Sequence, residues 1–123
     1  MPVFLDFTGY GCVNCRKMEA AVWTNAEVQQ MMDDNFVLIS LFVDEKTALP
    51  EVETVIENGE EHKLRTIGDK WSYLQRHKFG ANAQPFYVLV DNEGHPLTGS
   101  YSYNEDVPAY LQWLREGLKG YKK

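Results

Sequence analysis

Val3-Phe4-Leu5-Asp6-Phe7-Thr8-Gly9-Tyr10-Gly11-Cys12-Val13-Asn14-Cys15 opens the chain with an aromatic-rich run, a glycine-punctuated turn and a close pair of cysteines. Residues 3–7 have the length and composition of a strand, and Thr8-Gly9-Tyr10-Gly11 ends it as a turn. A helix is predicted over residues 12–22, with Val13, Met18, Ala21 and Val22 as its apolar positions. Cysteines at i and i+3 on the first turn of a helix can bring their sulfur atoms together. Cys12 would stand where unpaired backbone N–H groups and the helix dipole favour an anion, which lowers a thiol pKa and makes it the attacking thiolate. Cys15, one turn deeper, would be shielded and would resolve the mixed disulfide formed on Cys12.

Three other readings compete for the pair. A zinc or copper site needs further ligands, yet His62, His77 and His95 occur singly and there is no second CxxC. Two unreactive cysteines could pack as small apolar groups. A purely structural disulfide would close almost no loop and so would constrain the unfolded chain little. The strand before the pair and the helix after it favour the redox reading.

Outward from this stretch, Thr24-Asn25-Ala26-Glu27 has the Ser/Thr-x-x-Glu form of a capping box and predicts a helix restarting after a bend at Trp23 and running to about Asp33. Residues 36–44 form a near-continuous apolar run, as in buried strands of parallel sheets. Residues 45–67 admit two readings. Asn58-Gly59 between residues 52–56 and 62–67 fits a tight hairpin, while the polar composition also fits a mobile loop. Asp69 can cap a helix over residues 69–78, with Trp71, Leu74 and Tyr73 facing inward. Residues 86–91 and 96–103 read as two strands joined through Asn92-Glu93-Gly94, hence an antiparallel pair. A last helix begins near residues 104–106 with Pro108 in its first turn, and Val107, Leu111, Leu114 and Leu118 form one apolar stripe. Strands alternating with helices predict an α/β layer structure with an antiparallel end.

Composition sets the outer bounds. The 123 residues, 44% hydrophobic and 24% charged, suit one compact unit, and residues 1–123 are expected to form a single domain. A formal net charge of -6 argues against nucleic acid or an anionic membrane surface as a partner. The one basic cluster, Lys119, Lys122 and Lys123, reads as a solvated tail. No stretch approaches the roughly 20 apolar residues that span a bilayer. Met1 runs almost directly into the first strand, which suggests a domain excised from a larger protein.

Three further positions invite chemistry. Asp6 lies inside an apolar strand, on the opposite face from Leu5 and Phe7. If buried, its carboxyl would have a raised pKa and could exchange a proton with the resolving thiol; a strand-end Asp reaching solvent is the alternative. Glu19 lies four residues beyond Cys15 on the same helix face, and taken alone it reads as an exposed partner of Arg16 or Lys17. Gln84-Pro85 precedes a strand, where proline lacks a donor and takes either the cis or the commoner trans form.

Leu5-Asp6-Phe7, Cys12-Val13-Asn14-Cys15 and Ala83-Gln84-Pro85-Phe86-Tyr87-Val88 together resemble the thioredoxin superfamily. The Cys-Val-x-Cys centre, the acid four residues later and the Val22-Trp23-Thr24 bend are more similar to the C-terminal thioredoxin-like domain of the transmembrane thiol:disulfide interchange proteins, the DsbD family. The likeness spans about residues 3–44 and 68–118. It implies a thioredoxin-like fold, a central mixed sheet flanked by helices with residues 45–67 inserted. It also implies Cys12 as nucleophile, Cys15 as resolving thiol, and Asp6 and Glu19 as two acids near the redox centre. Carboxylates beside a thiol raise its pKa and favour a reducing centre. Pro85 would be a cis proline facing the CxxC, the backbone at Gln84 would pair with an extended partner segment, and Tyr10 and Gly11 would complete the partner-contacting surface. The partners implied are a membrane-embedded electron donor and extracytoplasmic acceptor proteins, on the periplasmic side, with no cofactor beyond the disulfide and no metal. A free-standing reductase or isomerase, or a non-catalytic metal-binding or docking module, are the alternatives. Two departures stand out: Gly11 replaces the Trp that many thioredoxins carry, and residues 45–67 are longer than the thioredoxin connection.

Overall fold

The computed structural model describes residues 1–121; Lys122 and Lys123 of the terminal basic cluster lie outside the described residues. The apolar opening run forms strand β1 (Val3–Thr8), and the next two core strands are β2 (Val37–Phe42) and β5 (Phe86–Val90). They make a three-stranded sheet ordered β2-β1-β5, with β2 parallel to β1 and β5 antiparallel to it. The register places Asp6 between Ser40 on one side and Tyr87 on the other.

Alternation along β1 and β5 divides the core between two faces. Phe4, Tyr87 and Leu89 meet Met18, Val22, Val28, Met32, Tyr110, Leu111, Trp113 and Leu114 on one face. These residues come from helix α1 (Val13–Met18), a π-helical turn (Glu19–Trp23), helix α2 (Ala26–Asn35) and helix α4 (Val107–Gly120). Phe7, Phe86, Val88 and Val90 point the other way, where Trp71 and Leu74 of helix α3 (Ile67–Phe79) cover them. The sheet is therefore flanked by helices on both sides, the thioredoxin-like α/β arrangement. Among the described residues no helix is long and apolar enough to cross a membrane.

Local chemistry corrects several expectations. Thr24 does not cap α2, because its backbone is still helical (φ -82°, ψ -10°). Asn25 is extended (φ -65°, ψ 130°), as an N-cap must be, and its side-chain oxygen accepts from the N–H groups of Glu27 and Val28 at 3.0 and 3.1 Å. Asp69 likewise is not the cap of α3 but its third residue. It forms a capping box with Thr66, so the helix begins at Ile67 rather than Asp69. The apolar run of β2 predicts a buried strand, and its pairing is parallel as that pattern suggests. Yet Val37, Leu38 and Ile39 are 40–44% exposed, because β2 has a strand neighbour on one side only among the described residues.

The uncertain middle is a hairpin, the first of the two readings. Strands β3 (Ala48–Glu57) and β4 (Glu60–Thr66) pair antiparallel around Asn58 and Gly59. Those two residues have φ of 52° and 80°, the left-handed backbone a two-residue hairpin turn requires. The hairpin is a sheet of its own, laid on α3. Leu64 is buried, and the Glu57 carboxylate accepts two bonds from Arg76 at 2.7 and 2.9 Å. Residues 96–103 pair with β5 but not as one continuous strand. Bridges join Val90 to Pro96 and Tyr87 to Tyr101, so β5 advances three residues where the returning chain advances five. The surplus forms a bulge at residues 98–100, whose Gly99 carbonyl accepts from the Trp113 indole at 2.6 Å. Asp106 caps α4, and Tyr110 and Trp113 join Leu111 and Leu114 in the core, widening the predicted stripe.

Candidate active site

β1 ends in a loop that is turned back by Cys12 N–H donating to the Gly9 carbonyl at 3.2 Å, and α1 begins there. Cys12 is the N-cap of α1, and its sulfur accepts from the Cys15 N–H at 3.2 Å. Cys12 and Cys15 are joined as a disulfide with their Cα atoms 5.3 Å apart. The two sulfurs are not equivalent. Cys12 is partly exposed, whereas Cys15 is 1% exposed and faces the core. Tyr10 and Val13, 59% and 67% exposed, place apolar surface on either side of Cys12. One backbone amide thus already points at the sulfur an incoming group can reach, which favours its thiolate when the bond opens.

Asp6 lies on the β1 face that carries Phe4, the face covered by α1 and the π-helical turn, and is 2% exposed. Burial pushes its carboxyl up to about 6. The Ser40 hydroxyl, donating to Asp6 Oδ2 at 3.0 Å from the neighbouring strand, draws it partly back; the Glu19 charge raises it further and Arg16 lowers it. The buried-acid alternative for Asp6 is the one observed. Glu19 sits at the surface, bonded to Arg16 Nη2 at 3.0 Å, the pairing its helical spacing suggests, and Arg16 also reaches Thr8 Oγ1 at 3.1 Å. Burial, then the Asp6 and Glu19 charges, raise the Tyr87 hydroxyl well above its ordinary value, so it stays a neutral neighbour.

Asp44 and Ser40 were not singled out in the sequence. The Asp44 carboxylate accepts from the N–H groups of Tyr10 at 2.9 Å and Gly11 at 3.1 Å, one oxygen to each. Burial alone would raise its carboxyl, but these amides outweigh that and hold it below the ordinary carboxylate range. The Tyr10 ring stacks on Phe42 with centroids 4.1 Å apart, and its hydroxyl donates to Glu45 at 3.0 Å. The loop carrying Cys12 is therefore fastened to the end of β2 and the turn after it by Phe42, Asp44 and Glu45. Asp44→Ala is expected to cost about 1 kcal/mol after allowance for its exposure, with Asp44→Asn between the two. Thermal unfolding together with faster amide exchange at Tyr10 and Gly11 checks it; unchanged exchange there would count against the clamp.

The Gln84–Pro85 peptide is cis. Phe7 pairs with Phe86, so the antiparallel register brings Pro85 level with Thr8, at the end of β1 from which the Cys12 loop departs. The CxxC loop and the proline loop thus lie at one end of the sheet, with Asp6 on the β1 face that α1 covers. Among the described residues, no group of three or more His, Cys, Asp or Glu side chains could hold a metal ion.

Sheet order, flanking helices and the disulfide at the head of α1 define a thioredoxin-like protein, and the chain belongs to the thioredoxin-like family, whose model matches residues 1–92. Solved structures agree. An oxidoreductase, DsbH, is 19% identical over 96% of this chain and 72% of its own, with a TM-score of 0.67. A thioredoxin from Thermus thermophilus is 19% identical over 97% of this chain and 75% of its own, TM-score 0.63. The C-terminal domain of Neisseria meningitidis DsbD, in reduced form, is 18% identical over 94% of this chain and 80% of its own, TM-score 0.59. No curated protein matches the sequence. At these identities the structural likeness bears on the fold. Fold and CxxC disulfide together support a thiol–disulfide oxidoreductase.

Proposed function

We propose that this chain reduces disulfides of partner proteins by dithiol exchange. The observation that carries it is the asymmetry of the pair: Cys12 accessible at the head of α1, Cys15 buried, and Asp6 buried and raised to about 6 on the face that α1 covers. In the reduced protein the Cys12 thiolate attacks one sulfur of the partner disulfide, forming a mixed disulfide and releasing one partner thiolate. Cys15 then loses its proton, with Asp6 as the acceptor, and attacks Cys12 Sγ. That step expels the second partner thiolate and forms the Cys12–Cys15 bond. Two electrons pass to the partner, and a dithiol donor must return two to reset the pair.

Glu19 places a second negative charge close enough to raise Asp6, and carboxylates near a thiol disfavour its thiolate, the tuning of a reductant. Tyr10 and Gly11 beside Cys12, with the Gln84 backbone at the proline loop, form the surface that an extended partner segment would meet. The similarity to the DsbD family suggests that the donor is membrane-embedded and the acceptors extracytoplasmic, with this chain on the periplasmic side. The disulfide is the sole redox group the exchange requires.

The test is the reduction potential of the pair, measured by equilibration with glutathione and trapping of free thiols. A value near or below about -230 to -270 mV is the expected outcome, and one near about -120 mV would make the chain an oxidant. Absence of a reversible disulfide would favour a non-catalytic docking role.

A further inference from the structure

The proline loop is held from inside the molecule by one side chain. Gln75, in the penultimate turn of α3, is fully buried. An amide buried this deeply is costly unless both ends are bonded, and here both go to the same loop. Its Nε2 donates to the Ala83 carbonyl at 2.8 Å, and its Oε1 accepts from Gln84 Nε2 at 2.8 Å. Its backbone carbonyl additionally accepts from Ala81 N–H at 3.4 Å, just past the Gly80 residue that ends the helix with φ 65°. Three bonds from one residue therefore fix the approach to Gln84–Pro85.

We infer that Gln75 is a positioning residue for partner docking: it presets the backbone of residues 83–85 so that Gln84 can pair with an extended partner strand. The inference rests on the exchange reading of the site. Gln75 belongs to neither the sulfur pair nor its buried acid, so it acts on recognition and leaves the intrinsic chemistry of Cys12 alone. An Ala83 carbonyl and a Gln84 side chain released from Gln75 would leave the loop to be ordered at the moment of binding, which lowers apparent affinity for a protein and not for a small reagent.

The experiment compares Gln75→Met, which fills the same buried space without an amide, with the wild-type protein. The probes are insulin as a protein disulfide and iodoacetamide as a small thiol reagent. Reduction of insulin is expected to slow about tenfold, through KM more than kcat, while alkylation of Cys12 stays within about twofold. The glutathione equilibrium of the pair should not move. Equal insulin rates for variant and wild type overturn the inference, and so does a parallel fall in both reactions, which is the mark of general loosening. Should Gln75→Met not fold, Gln75→Glu gives the test. Its carboxylate still accepts from Gln84 but can donate to Ala83 only when protonated, so insulin reduction relative to wild type should recover as pH falls. A ratio constant with pH overturns the role. A wild-type protein that alkylates at Cys12 yet reduces no insulin removes the exchange reading itself, a result separate from any difference between variants.

Discussion

Cys15→Ser is expected to convert the protein from a turnover enzyme into a covalent trap. Cys12 remains the accessible sulfur at the head of α1, so it still attacks a partner disulfide, but no buried thiol follows to release the partner. Incubation with insulin should therefore accumulate a mixed disulfide visible as a mass increase that reductant removes. Turnover should fall by about a thousandfold or more, the scale of losing a covalent participant. Cys12→Ser should be equally inactive and form no adduct, because Cys15 is 1% exposed. An adduct on the Cys12→Ser protein, with none on Cys15→Ser, would exchange the two roles.

The second large effect is on stability. Asp6 has a folded pKa of about 6 against an ordinary value of 3.8. The fold therefore favours the neutral acid. That contribution is fully present below the unfolded value, and it is lost as pH rises from there through 6. Above that window the buried carboxylate costs the fold, so Asp6→Asn, neutral at every pH and still able to accept from Ser40, should stabilise the oxidised protein by about 3 kcal/mol at pH 8. The gain should shrink as pH falls through 6 and vanish near pH 3. Urea unfolding at pH 4 and pH 8 measures it, and an equal gain at both would mean that Asp6 is not held neutral. The same substitution should slow release of the mixed disulfide at neutral pH, since it removes the acceptor proposed above for the Cys15 proton.

Much of this was legible along the chain because the signals are local. Alternation in residues 3–7 placed Asp6 opposite Leu5 and Phe7, the Cys12–Cys15 spacing gave the disulfide, and Asn58-Gly59 gave the hairpin turn. What stayed hidden depends on residues far apart in sequence. Asp44 reaches Tyr10 and Gly11 across 34 and 33 residues, and Ser40 reaches Asp6 across 34. Neither is an unusual residue where it stands: the parallel register of β1 and β2 sets Ser40 beside Asp6, and the loop after β2 carries Asp44 to Tyr10 and Gly11. The apolar run at residues 36–44 suggested a strand covered on both sides, yet hydrophobicity reports composition and cannot report how many neighbours a strand has. The breaks at Thr24 and in residues 98–100 depend on one residue's backbone angles and on an indole from α4, neither of which leaves a periodic trace.

The β3–β4 hairpin leaves the chain after β2 and returns at almost the same place: Ala48 pairs with Thr66, and Ile67 N–H donates to the Thr47 carbonyl at 2.9 Å. Among the described residues it shares no strand pairing with the β2-β1-β5 sheet. Its footing is on α3, through the buried Leu64 and the Glu57–Arg76 pair. The fold is thus modular at this point. A descendant could lengthen, recharge or replace the hairpin as a detachable recognition cassette, while the electron-carrying half of the molecule is inherited unchanged.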